Sequence, residues 1–138
     1  MTKTGDPKHD SVGDVVRRYW AAINANDFQA AGQLLHDDFL LHWPQSGERI
    51  CGRANFVSVN EHYPAAGPWR VTVHRLLTEG DEVASEVTVT DGVLKATAIT
   101  FSNVLDGRIV RQTEYWPDPF EAAPWRAGWV ERSNTANG

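Results

Sequence analysis

The sequence predicts an α+β domain in which helices come first and a curved antiparallel sheet follows. Three observations carry this. Val12, Val15, Val16, Tyr19, Trp20 and Ile23 recur at helical spacing. From Trp69 onward, β-rich stretches are separated by the short turn signals GD (80–81), DG (91–92) and DG (106–107). The chain has 138 residues and is 41% hydrophobic, enough for one domain with a real core, whereas two would each be too small.

In order along the chain, residues 1–10 show no periodicity and are expected to be a loose start. Ser11, with Asp14 three residues on, is an imperfect capping box for the first helix. NAND (24–27) breaks that helix, and Asp27 is placed to cap a short second one carrying Phe28, Ala31, Leu34 and Leu35. FLLHW (39–43) reads as a strand stopped by PQSG at 44–47. A third helix is expected from about Arg53 to Tyr63, ended by Pro64. Four antiparallel strands follow, at 69–79, 82–90, 93–105 and 108–116. The aromatic segment PDPFEAAPWRAGWVER is expected to fold back on the body, giving one domain over 11–132 and a loose tail over 133–138.

Regular two-residue turns would fix the neighbours. Leu105 then opposes Arg108, so Ile99 opposes Glu114 and Thr97 opposes Trp116. In the same way Glu86 opposes Thr97, Ala84 opposes Ile99 and Arg75 opposes Glu86. One face would therefore hold Val73, Arg75, Ala84, Glu86, Thr88, Thr97, Ile99, Phe101, Val110, Gln112, Glu114 and Trp116. An apolar surface with embedded polar groups suits a small-molecule pocket. Glu86 and Glu114 would lie about 12 Å apart, bracketing a ligand rather than sharing a proton. The other face, with Thr72, His74, Val83, Ser85, Val87, Ala98, Thr100 and Tyr115 among its residues, is too apolar for water. A second copy of the chain is its expected cover.

A net charge of −5 argues against nucleic acid or an anionic membrane as the main partner. Apolar runs fall well short of the ~18 residues of a membrane span. The single cysteine, Cys51, fits a reducing compartment, and the expectation is cytoplasmic. HDD at 36–38 and the scattered His9, His62 and His74 lack metal-ligand spacing, so neither metal nor cofactor is expected. Cys51 has no paired histidine signal that would make it a nucleophile.

The stretches VVRRYWAAINANDFQAAGQLLHDDFLLHW, GERICGR and DGRIVRQTEYWPD, spread over residues 11–130, resemble the nuclear transport factor 2-like (cystatin-like) superfamily. Within it the chain is similar to SnoaL-like polyketide cyclases and ketosteroid isomerase-related proteins. The resemblance implies a cone-shaped barrel of curved sheet around N-terminal helices, a deep apolar cavity, and a homodimer packed through the sheet. Members include cofactor-free isomerases, aldol-type cyclases, epoxide hydrolases and proteins that only bind or assemble, so fold alone does not fix function. Glu114 falls where epoxide hydrolase-like members keep a water-positioning carboxylate. Their second carboxylate falls at Thr88, their arginine at Glu86 and their asparagine near His42. The ketosteroid isomerase base falls near Trp43 and its buried acid near Ile99. Asp118 is the nearest match to the acid/base aspartate of the cyclases.

Two residues are expected to carry chemistry. Glu114 would be a proton carrier, because an apolar wall raises a carboxyl pKa toward neutrality, and His42 would be its partner. Trp43, Trp116, Tyr19, Phe101, Ile99, Thr88, Thr97, Gln112 and Asn60 are candidate substrate contacts, with Glu86 and Arg75 as a cross-strand ion pair in the wall. The expected function is cofactor-free acid/base isomerisation, cyclisation or hydration of a small hydrophobic molecule. The competing expectation is a non-catalytic binding or assembly module.

Overall fold

The computed structural model describes residues 11–133, so the expectations for residues 1–10 and 134–138 lie outside the described residues. The elements run α1 (Val12–Asn24), α2 (Phe28–Gln33), β1 (Leu35–Trp43), β2 (Glu48–Cys51), α3 (Arg53–His62), β3 (Arg70–Glu79), β4 (Glu82–Thr90), β5 (Lys95–Leu105) and β6 (Arg108–Tyr115). A 3₁₀ turn at Pro124–Trp129 follows.

Capping explains where α1 and α2 begin. The Ser11 hydroxyl accepts the Asp14 N–H at 3.1 Å, and the Asp27 carboxylate accepts the Ala30 N–H at 3.0 Å. The α1 stripe Val15, Val16, Tyr19, Trp20 and Ile23 is buried. NAND ends α1 and does more than break it. Asn26 adopts φ 58°, a left-handed conformation that asparagine tolerates better than most residues. Its side chain donates to the Trp69 carbonyl and accepts the Trp69 N–H, both at 2.8 Å, while the Asn24 side chain accepts the Val71 N–H at 2.8 Å. Two side chains thus satisfy the first backbone groups of β3, which is an edge strand.

The sheet has six strands in the order β2-β1-β6-β5-β4-β3. It is open, with β2 and β3 as edges, and bends around the helices to give an α+β cone-like fold. β1 pairs parallel to β6, so the sheet is mixed rather than purely antiparallel, and β2 is an added strand. The four expected strands pair consecutively as antiparallel hairpins.

The pairing differs from regular hairpin arithmetic in three places. GD at 80–81 and DG at 106–107 do give Glu79 opposite Glu82 and Leu105 opposite Arg108. The DG at 91–92 does not form a two-residue turn. The Asp91 carboxylate accepts the N–H groups of Val93 (2.9 Å) and Leu94 (2.7 Å), organising a wider loop. Thr90 therefore opposes Lys95, Glu86 opposes Ile99 and Ala84 opposes Phe101. This slip is even, so faces are preserved.

The other two departures are bulges, and they change faces. Between β5 and β6 the pair Val104–Ile109 is followed by Asn103–Arg111, with Val110 as the extra residue. Glu114 consequently opposes Thr100, not Ile99. Between β3 and β4, Val73 opposes Val87 while Arg75 opposes Glu86, with His74 extra.

The face that turns toward the helices therefore carries Val83, Ser85, Val87, Ala98, Thr100, Ser102, Gln112 and Glu114, all buried. This corrects the expected wall in two ways: the inner side is the face assigned to a second copy, and Gln112 and Glu114 join it. Arg75, Glu86, Thr88, Thr97, Ile99 and Phe101 lie on the outer face, with Tyr115 beside Phe101. The core between helices and inner face is strongly aromatic. Tyr19 and Phe56 ring centroids lie 5.9 Å apart, and Phe39 and Phe56 meet edge-on at 5.8 Å. Among the described residues, no helix is long and apolar enough to cross a membrane.

Candidate functional site

A polar strip runs through the middle of this apolar interior. β4 contributes Ser85, β5 contributes Thr100 and Ser102, and β6 contributes Gln112 and Glu114, all on the inner face. The Trp20 indole N–H from α1 reaches the Ser85 hydroxyl at 3.1 Å. The Gln112 amide donates to the Ser102 hydroxyl at 3.2 Å, while its carbonyl oxygen, fully buried, has no hydrogen-bond partner among the described residues.

Glu114 is the strip's ionisable group and is only 5% exposed. One carboxyl oxygen accepts the Trp43 indole N–H at 2.9 Å, and the other accepts the Thr100 hydroxyl at 2.7 Å. No cation faces it in a salt bridge among the described residues. Burial pushes its pKa above the ordinary carboxylate range, opposed by the hydrogen bonds of Trp43, Thr100 and Trp116. Tyr19, on the α1 stripe, is deeply buried close by. Burial, and then the Glu114 charge, raise the phenol well above its usual pKa, with Gln112 acting in the opposite direction. Tyr19 therefore stays a neutral hydroxyl, able to donate a hydrogen bond.

The end of the strip near Trp43 and Trp116 is held by the turn between β1 and β2. The Gln45 side chain accepts the Trp116 N–H and donates to the Trp116 carbonyl at 3.2 Å, tying that turn to the end of β6. PQSG thus works as a tether as well as a strand stop.

The structure brings together Glu114, Trp43, Trp116, Tyr19 and Gln112 of the residues singled out from sequence. It separates the others from them. His42 opposes Thr113 and Arg49, alternate to the inward Leu41 and Trp43, so it sits on the outer face and is no partner for Glu114. Strand alternation is the reason. Thr88, Thr97, Ile99 and Phe101 lie on that outer face, and the extra residue Val110 in β6 is what takes Glu114 off it. Arg75 and Glu86 do form the expected cross-strand pair at 2.8 Å, but on the outside. Asn60 donates to the Phe56 carbonyl one turn back in its own helix, at 2.9 Å. Asp118 is exposed beyond β6.

Thr100 and Ser102 were not among the sequence candidates. Their signal, small hydroxyls alternating inside a β5 stretch, is weak without the register. A groove of about 180 Å³ lies between α1 and β3, lined by Arg17, Trp20, Ala21, Asn24, Val71 and Val73, and does not include Glu114. Among the described residues, no group of three or more His, Cys, Asp or Glu side chains is placed to hold a metal.

An α+β cone whose inner sheet face holds a buried carboxyl among neutral donors defines a protein of the nuclear transport factor 2-like class. The chain belongs to the SnoaL-like domain family, whose sequence profile matches residues 16–112. It is 35% identical to a candidate ketosteroid isomerase from Kribbella flavida DSM 17836, with 90% of each chain covered and a TM-score of 0.83. It is 31% identical to an NTF-2 like protein of unknown function from Burkholderia xenovorans LB400, covering 94% of this chain and 100% of that one at TM-score 0.75. The fold is shared with IdmH of Streptomyces antibioticus, described as a polyketide cyclase candidate, at 22% identity, 78% and 92% coverage and TM-score 0.67. No curated protein matches the chain.

Proposed function

We propose that the chain binds a small, largely apolar molecule against the inner face of its sheet and performs cofactor-free acid/base chemistry on it. The observation that carries this reading is Glu114, a buried carboxyl held by neutral donors with no counter-cation among the described residues, beside the Tyr19 hydroxyl. Such a group changes charge nearer to neutral pH than an exposed carboxylate, which suits proton transfer. Glu114 removes or returns a proton, or orients a water. Tyr19, kept neutral, donates a hydrogen bond to negative charge that develops on a carbonyl or epoxide oxygen. Trp43 and Thr100 hold the carboxyl in one orientation, and Trp43 and Trp116 shape the apolar surroundings. Isomerisation, cyclisation and hydration all fit this set. The similarity to the Kribbella flavida protein favours isomerisation of a hydrophobic carbonyl compound.

The partners proposed are that small molecule and a second copy of the chain packed through the outer sheet face. The acidic net charge of −5 disfavours nucleic acid and anionic membrane surfaces. The exposed, unpaired Cys51 suits the reducing cytoplasm.

A second reading, a non-catalytic binding module, is favoured by one fact: both carboxyl oxygens of Glu114 already have donors. A panel of hydrophobic enones, epoxides and poly-carbonyl compounds, screened first for binding and then for turnover, separates the two. Glu114→Gln keeps the shape of the site, so it should retain ligand affinity and lose about 100-fold or more in kcat. Turnover unchanged in that variant would remove Glu114 as the proton carrier.

A further inference from the structure

The chain leaves β6 at Tyr115 and runs through Pro117, Pro119 and Pro124 into the 3₁₀ turn at Pro124–Trp129. Proline fixes φ and removes backbone donors, so this segment neither extends the sheet nor coils into an α-helix. Its large side chains face water: Phe120 is 86% exposed, Trp125 73% and Trp129 82%. Against the expectation that the segment folds back on the body, its three largest rings lie open to water. Between residues 117 and 132, only Ala122, Ala123 and Arg126 are partly covered. Arg126 lies over the Trp125 ring, 5.8 Å from its centroid, and the arm's three large rings otherwise face water, an arrangement that monomers avoid.

A second apolar surface lies on the outer sheet face. Leu77, Phe101 and Tyr115 are exposed there, and the Phe101 and Tyr115 rings meet edge-on at 6.5 Å. Tyr115 ends β6, so the arm starts at the rim of this patch.

We propose that the C-terminal arm, residues 117–132, docks on a second copy of this chain, crossing the seam between two outer faces and laying Phe120, Trp125 and Trp129 on the other copy's patch. One chain carries both halves of the contact, so a twofold exchange closes and satisfies both copies at once. The area is sufficient. Three aromatic side chains bury roughly 450–750 Å² per arm. Two arms with their receiving surfaces then reach or exceed the roughly 1,200–2,000 Å² of a stable specific interface. Charge agrees as well, since Asp118 and Glu121 at the root of the arm are exposed and Arg111 is exposed on β6, on the face that carries Tyr115. The arm covers the end of the outer face that carries Leu77, Phe101 and Tyr115 and leaves the part around Thr88 and Thr97 for direct sheet contact, so the two contributions are separable by mutation.

Sedimentation velocity of the purified full chain, from micromolar to sub-millimolar concentration, tests this. The expected result is a dimer for the natural sequence. In the Trp125→Ser/Trp129→Ser variant the dissociation constant rises about tenfold or more, with thermal stability at low concentration unchanged because both rings are exposed in the single chain. A dimer whose dissociation constant is unchanged in that variant would leave the sheet-face association standing and overturn the role of the arm. A natural chain that stays monomeric throughout would also overturn it, whether its arm then closes over its own body or serves a different protein.

Discussion

Glu114 owes its protonation behaviour to its burial and to three neighbours: Trp43 from β1, Thr100 from β5 and Trp116 just beyond β6. Desolvation raises its pKa and the neutral donors restrain that rise, so removing a donor should let the pKa climb further. Trp43→Phe deletes the indole N–H while keeping an aromatic ring. We expect the Glu114 titration, followed by carboxyl ¹³C NMR, to move to higher pH in that variant. A titration moved to lower pH would mean that the indole donor does not stabilise the charged form. Substitution of Thr100 by valine should act in the same direction, because it removes the second donor at similar volume. Most of this was legible only in part. The sequence marks Glu114 as a carboxylate in aromatic company, and Tyr19 and Trp43 as candidate contacts. It does not show that the indole of Trp43 is a donor to that carboxylate, because the two are 71 residues apart.

At the scale of elements, what could be read from sequence was whatever local chemistry determines. The α1 stripe, the Ser11 and Asp27 caps, and the GD and DG turns at 80–81 and 106–107 all depend on residues within a few positions of one another. The bulges at His74 and Val110 leave no such mark, since an extra residue is defined only against the opposing strand. One unmarked residue was enough to turn Glu114 from the outer to the inner face. The loop at Asp91 was misjudged for a related reason: its carboxylate also accepts the Ala66 N–H at 2.9 Å, and that partner lies 25 residues away. NAND illustrates the same limit, readable as a helix stop but not as a clamp on β3. Its contribution can be measured. Asn26→Ala loses both hydrogen bonds to Trp69 and places a Cβ residue without local side-chain support at φ 58°. The expected loss in urea unfolding is about 2–4 kcal/mol. Asn26→Gly should recover only the conformational part, and full recovery by glycine would show that the hydrogen bonds contribute little.

For the molecule as a whole, carboxyls with raised and with lowered pKa values pull stability in opposite directions with pH. Glu114 has a raised pKa in the fold, so between the unfolded value of about 4.3 and its folded value the native state binds more protons than the unfolded state. Its contribution is therefore most favourable below that unfolded pKa and is lost as pH rises through the folded one. Asp91 and Asp37 have lowered pKa values, Asp91 from backbone N–H donors led by Ala66 and Asp37 from the Arg53 hydrogen bond and charge. Their contributions are present above the unfolded value of about 3.9 and are lost as pH falls through their folded values. Stability should consequently peak in mildly acidic solution and decline on both sides. Glu114→Gln should flatten only the decline toward neutral pH, because glutamine keeps the Trp43 contact through its carbonyl and can donate to the Thr100 oxygen without a charge to desolvate. Asp91→Asn should flatten only the decline toward acid. Urea midpoints measured across pH for the natural chain and these two variants test the assignment. A decline toward neutral pH that survives Glu114→Gln would place the responsible group elsewhere, and Glu114 would then ionise too easily to be the proton carrier proposed here.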